Sequence, residues 1–295
     1  MTIIYYLLFI LLMLVMIVGL YEASKIFWAP DFDLKKIKLN YEILGSGSQK
    51  VLLLHGMAGT LDYWNRGDLE RDKTHSYFTV DLLGFGKSPK PKSSYNYYEH
   101  ISAIEKIVIK EKLNDGSTLV LGHSMGALLA LALVSKNPKW YKGLTLISIP
   151  LFSNRDEIIE FHRNGSLFDK LSVGEYGIYF CMLHPIYFTE IFRPKELPRD
   201  VFQNASKHTW FSFDRSFKNI ILNSGNDEFA NKLKDKKILF IHGDRDTSAP
   251  YSKALKFSQS FDNSSLLTIK DGDHQIYLTN HEQIWKAFSN YFDVS

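Results

Sequence analysis

The sequence holds a single cysteine, Cys181, in 295 residues. That excludes an internal disulfide framework and any zinc site built on cysteine. A lone thiol suits a reducing compartment, or an export route that tolerates it. A charge excess of either sign is also missing. The 35 Lys+Arg and 32 Asp+Glu are interspersed and leave a net charge of +3, so no basic face is offered to a nucleic acid. Low-complexity segments and internal repeats are absent, and 45% of the residues are hydrophobic, which excludes a disordered chain. A chain of this length buries a sizeable core as one domain with an insertion, or as two small domains.

One segment has no charge at all. Ile3 to Leu20, IIYYLLFILLMLVMIVGL, is an apolar run of 18 residues closed by Glu22 and Lys25. As a helix it spans roughly 27 Å, near the hydrocarbon thickness of a bilayer. Tyr5, Tyr6, Tyr21 and Trp28 flank it as interfacial aromatics do. The basic leader and small-x-small cleavage site of a signal peptide are not there, nor is the polar face of a buried core helix. An uncleaved single-pass anchor with its linker, residues 1–29, is expected. Lys25, Lys35, Lys36 and Lys38 follow the span and only the α-amino group precedes it. The positive-inside rule therefore favours a cytoplasmic body.

Beyond the anchor, short β-rich runs alternate with amphipathic stretches. Lys38–Leu44 reads as a strand, with Gly45-Ser46-Gly47 as a turn after it. Val51–Leu54, Tyr77–Val80, Thr118–Leu121, Leu144–Ile149, Ile238–Ile241 and Leu266–Ile269 are continuous apolar runs, the mark of strands covered on both faces. His100–Leu113, Ala127–Val134, Ser252–Phe261 and His281–Phe292 read as helices. This alternation predicts an α/β fold with a mostly parallel sheet and helices on both faces. From 151 to about 233 it fails. There Phe152, Phe161, Phe168, Tyr176, Tyr179, Phe180, Tyr187, Phe188, Trp210, Phe211, Phe213 and Phe217 stand among charges and helix-like runs. A helical insertion over 151–233, between core segments 30–150 and 234–295, is the simplest account.

Chemistry is concentrated at strand ends. Gly122-His123-Ser124-Met125-Gly126 lies between an apolar strand and an Ala/Leu helix, the context a G-x-S-x-G nucleophile elbow requires. A serine hydroxyl needs a base. His274, in Asp271-Gly272-Asp273-His274, follows the last apolar strand and opens onto the same sheet edge. His55 and His242 precede glycines at strand ends and read as buttresses of the backbone. His100, His162, His184, His208 and His281 read as surface or packing residues, and His75 has no motif around it. The acid that orients the imidazole is expected in His242-Gly243-Asp244-Arg245-Asp246. Asp246 is favoured over Asp244, whose bland role is to bond backbone N–H groups of the turn. Chain order is then Ser124, Asp246, His274. Oxyanion donors are expected in the backbone N–H of Met125 and, from the loop His55-Gly56-Met57-Ala58-Gly59, that of Met57.

With these motifs in order, the chain resembles the α/β-hydrolase superfamily of cap-bearing serine hydrolases and esterases. The resemblance runs from about Tyr41 to Phe292 and rests on HGMAG (55–59), DLLGFGKS (81–88), GHSMG (122–126), HGDRDTSAP (242–250) and GDH (272–274). It implies an eight-stranded, mostly parallel sheet with a lid inserted near Ile149-Pro150, and a triad of Ser124, Asp246 and His274. It also implies that Asp81 and Gly84 support the site without doing chemistry. The segment after His274, QIYLTNHEQ, lacks the proline many relatives carry there.

The expected reaction is acyl transfer from an ester to water through an acyl-enzyme. No metal or organic cofactor is expected. The aromatic insertion would bind an apolar or lipid-like acyl part, or those aromatics would form the lid's own core. Expected partners are a small-molecule ester and the membrane, with no nucleic acid and no obligate protein partner. C–C bond hydrolysis, thioester or peptide cleavage, perhydrolysis, acyl transfer to another acceptor and a non-catalytic scaffold stay open, because fold does not fix substrate.

Overall fold

β4 (Thr118–His123) and β6 (Ile238–Gly243) are buried at every position in the computed structural model, as continuous apolar runs require. Residues 2–164, 182–187, 191, 193, 197–222 and 226–294 are described. With β1 (Tyr41–Gly45), β2 (Gln49–Leu54), β3 (His75–Val80), β5 (Tyr141–Ile147) and β7 (Ser264–Ile269), these strands form one sheet. Its order is β1-β3-β2-β4-β5-β6-β7. β1 runs antiparallel to β3, and all other neighbours are parallel.

Period-two alternation sends successive side chains to opposite faces. Leu52, Leu54, Val120 and Phe240 pack beneath Ile104 and Val108 of α2 (Tyr97–Lys110), Leu128 and Leu131 of α3 (Met125–Lys136), and Ala254 of α8 (Tyr251–Ser258). Val51, Leu53, Leu119, Leu121 and Ile241 meet Tyr63, Trp64 and the Ile284, Phe288 and Phe292 stripe of α9 (Ile276–Phe292). α3 is buried at every residue but Lys136, which explains its lack of a polar face. α2 starts where Asn96 and Glu99 form a capping box, a pairing that satisfies two otherwise orphaned backbone donors.

Between β5 and β6 the described residues form no strand of the sheet. They form α4 (Arg155–Phe161), a single turn at His184–Tyr187, α5 (Arg199–Ala205), α6 (Trp210–Ser216) and α7 (Asn226–Asn231). α6 continues into a π-helical turn, Phe217–Ile221. Phe152 is buried in the core, and Phe161, Phe211 and Phe217 pack against it, so these four aromatics are core residues. Phe168, Tyr176, Tyr179, Phe180, Cys181 and Phe188 lie outside the described residues. α1 (Thr2–Phe27) stands apart, with Ile3 through Leu12 all exposed.

Three expectations are corrected. The sheet has seven strands among the described residues, not eight. Ile37 and Leu39 are buried as side chains without joining the ladder, so the first strand begins at Tyr41 rather than Lys38. The last helix starts at Ile276, ahead of the expected His281, with non-helical dihedrals at Asn280. Two helical runs meeting at that kink blur the periodicity that locates a start.

Candidate active site

The turn between β4 and α3 forces Ser124 to φ +53°, ψ −122°, a region that costs a non-glycine residue on the order of 1–3 kcal/mol. Its amide donates to Ile147 O of β5 at 2.9 Å. The flanking glycines are steric requirements. A Cβ on Gly122 would lie 2.2 Å from Gly126 O, and one on Gly126 would lie 2.1 Å from Leu54 O. No rearrangement of a side chain relieves a clash with backbone.

Three far-separated residues meet at this turn. His274 Nε2 lies 2.9 Å from Ser124 Oγ, and His274 Nδ1 lies 2.8 and 3.1 Å from the two oxygens of Asp246. An ionised carboxylate only accepts, so Nδ1 carries the proton and Nε2 is left to accept from the hydroxyl. Asp246 Oδ1 also accepts the amides of Ser248 and Ala249 at 2.8 and 2.7 Å. Burial alone would raise the Asp246 pKa. The charge of His274 and hydrogen bonds from His242 and His274 outweigh it and hold the carboxyl well below its usual range.

Asp244 is exposed at its turn. The turn-bonding role expected of it belongs to Asp246, which does that work and faces His274 as well. His242 is a backbone buttress, as expected, and more. Its Nε2–H reaches Ala249 O at 3.1 Å and lies 3.3 Å from Asp246 Oδ2. His123 escaped sequence reasoning, although it sits inside GHSMG. It stacks on Tyr63 with ring centroids 4.8 Å apart and donates Nε2–H to His274 O at 2.9 Å. Burial, then the nearby His274, lowers its pKa to about 3. It therefore stays neutral.

The loop after β2 packs against the elbow, where a Cβ on Gly56 would lie 3.0 Å from Ser124 Cβ. His55 stiffens that loop, donating from Nδ1 to Gly56 O at 2.7 Å and accepting Leu82 N–H on Nε2 at 3.0 Å. Among the described residues the Met57 amide has no acceptor. Met125 opens α3, where first-turn amides have no acceptor within the helix. Asp81 accepts Leu61 N–H, Lys87 N–H and Asn40 Nδ2–H, each at 2.8 Å, fixing the loop beside His55. His100 and His208 are buried and packed, and no cluster of three or more metal-ligating side chains occurs among the described residues.

The sheet order and the strand-end site define an α/β-hydrolase fold. Two family models match in chain order, one described as alpha/beta hydrolase fold over residues 50–171, the other as TAP-like protein over residues 222–294. The chain belongs to the α/β-hydrolase superfamily. It is 40% identical over 113 residues to "Probable lysophospholipase BODYGUARD 4" of Arabidopsis thaliana, covering 37% of this chain and 27% of that protein. The match thus spans about a quarter of the relative's length. "Putative non-heme chloroperoxidase" of Synechocystis sp. is 27% identical over 268 residues, covering 86% of this chain and 95% of that one. The crystal structure of a bromoperoxidase from Bacillus anthracis superposes with TM-score 0.70 at 19% identity, covering 88% of this chain and 98% of that one.

Proposed function

We propose that the protein is a serine hydrolase that cleaves carboxylic esters with an apolar or lipid-like acyl part. The observation that carries this reading is the unbroken relay from Ser124 Oγ through His274 to Asp246, at 2.9 and 2.8 Å. His274 Nε2 takes the hydroxyl proton as Ser124 Oγ attacks the ester carbonyl. The oxyanion is held by the amides of Met57 and Met125, worth about 3–4 kcal/mol per donor in comparable sites. The resulting imidazolium, stabilised by Asp246, protonates the leaving alcohol. Water then enters, gives its proton to His274 and releases the acid, returning Ser124 to its hydroxyl.

A lipid-like substrate is favoured by α1. It is an apolar helix of a length that fits a membrane anchor or a signal sequence. Leaving about fourteen such large apolar side chains in water costs roughly 20 kcal/mol at about 1.5 kcal/mol each. That exceeds the net stability of a domain, about 5–15 kcal/mol. The anchor reading needs no cleavage and places the body on the cytoplasmic side, where the following lysines lie. The lysophospholipase name of the Arabidopsis relative agrees with a lipid ester.

The test is a series of p-nitrophenyl esters of graded acyl length, with fluorophosphonate labelling of the same preparation. Labelling at Ser124 and a preference for medium or long chains are expected. No adduct on Ser124 would end the hydrolase reading, and hydrolysis confined to acetyl esters would end the lipid-like part.

A further inference from the structure

α1 is exposed along its apolar length, yet its last two turns are part of the body. The Glu22 side chain is 0% exposed and paired with Lys25 at 2.6 Å. One residue away Tyr21 is exposed, as are Phe27 and Trp28 a turn later. Interfacial aromatics at this level put the edge of the hydrocarbon layer beside Glu22. The main chain at Glu22 is met by the segment between β5 and β6. Trp210, the first residue of α6, donates its indole N–H to Glu22 O at 3.2 Å.

From there a continuous set of contacts leads to Ser124. α6 is tied to the loop after β3, through Ser212 Oγ–H to Gly84 O at 2.9 Å and a bridge pairing Phe85 with His208. Phe85 lies against His55, ring centroids 5.9 Å apart. His55 precedes Gly56, whose Cβ position is 3.0 Å from Ser124 Cβ. The linker out of α1 joins the same loop. Asp31 pairs with Lys92, whose amide donates to Pro30 O at 2.8 Å while its carbonyl accepts Phe32 N–H at 3.0 Å.

β3 and β4 both run parallel to β2. The loop after β3 and the elbow after β4 therefore leave the sheet at one edge. The anchor is thus mounted on the rim that carries Ser124, not on the opposite edge or on either helical face.

We propose that the bilayer lies against this rim, so that the acyl chain enters the site from the leaflet holding α1, and that the Glu22–Trp210 contact couples the anchor to α6. The partner is a lipid surface, and the proposal rests on the reading of α1 as an anchor. Lys25 and Lys207 both lie near Lys90 and supply cations where headgroups would meet the body.

The orientation is read without any catalysis. The full chain carries Cys181→Ala and one added cysteine bearing an environment-sensitive fluorophore. The cysteine is placed by Lys207→Cys near α6 or by Asn114→Cys at the opposite edge, and the protein is reconstituted in phosphatidylcholine vesicles containing brominated lipid. Quenching at 207 and not at 114 is expected. Quenching at 114, at both alike or at neither overturns the proposal. Fluorophosphonate labelling of Ser124 in the same vesicles reports separately on the hydrolase reading. Coupling is read with Trp210→Phe. It should lower the rate on vesicle-embedded long-chain ester about fivefold, the worth of one neutral hydrogen bond, and leave a soluble short-chain ester unchanged. Equal loss on both substrates, or no loss on the embedded one, removes the coupling.

Discussion

The main-chain carbonyl of His274 accepts the Nε2–H of His123 at 2.9 Å. The residue before the proposed nucleophile thus positions the proposed base from behind, while Asp246 holds the ring through Nδ1. A neutral imidazole suits this task, since only its N–H is used. His123→Gln, which can keep a donor, should retain more turnover than His123→Phe. The latter should lose about a hundredfold in kcat, the scale of a 1 Å misplacement, with KM little changed. Equal activity of the two variants would reduce His123 to packing.

Asp246→Asn should lower kcat by about 10⁴, because an amide favours the wrong imidazole tautomer. Asp244→Asn, at an exposed position, should stay within about twofold of the parent. Steady-state kinetics on a p-nitrophenyl ester, with circular dichroism to verify folding, rank the two carboxylates. The reverse ranking would move the acid to Asp244.

His242 contacts the same Asp246 oxygen that faces His274 Nδ1. His242→Gln can still donate to it and should fall only a few-fold in kcat, whereas His242→Leu should fall at least about tenfold for loss of a charge-assisted hydrogen bond. If both fall together, His242 serves only the backbone at Ala249.

Acid should destabilise the fold before it affects most carboxylates. Burial lowers the pKa of His100, His123 and His208 to about 3. The unfolded chain binds these protons near pH 6.5 and the folded chain does not, so stability is full above 6.5 and is lost as pH falls toward 3. At pH 5 the loss is about 2 kcal/mol for each histidine at most. Asp246, also depressed, adds a loss of the same sign only below its ordinary range. Thermal unfolding at pH 7 and pH 5 should show a steep fall in Tm that His100→Leu reduces. A flat profile would refute the neutral burial.

Much of this was legible because strands covered on both faces leave uninterrupted apolar runs, as at Val51–Leu54 and Ile238–Ile241. Segments with one-sided burial were less so. β1 shows a mixed burial pattern, and Ile37 and Leu39 are buried outside it, so no change in apolar pattern marks its start. Asp246 could be chosen by loop position, but its bonds to Ser248 and Ala249 depend on a turn that residue types alone do not define. The link between Glu22 and Trp210 joins residues 188 apart, and neither carries a local signal of the other.

The two glycines around Ser124 press against peptide oxygens of their own chain and of the neighbouring strand. Their role is indifferent to whether the central hydroxyl reacts. A copy of this gene product that had lost Ser124, or the imidazole at 274, would still need both to close the elbow. In surveys of relatives, then, the glycine pair would record ancestry, and only the proposed trio of Ser124, His274 and Asp246 would record turnover.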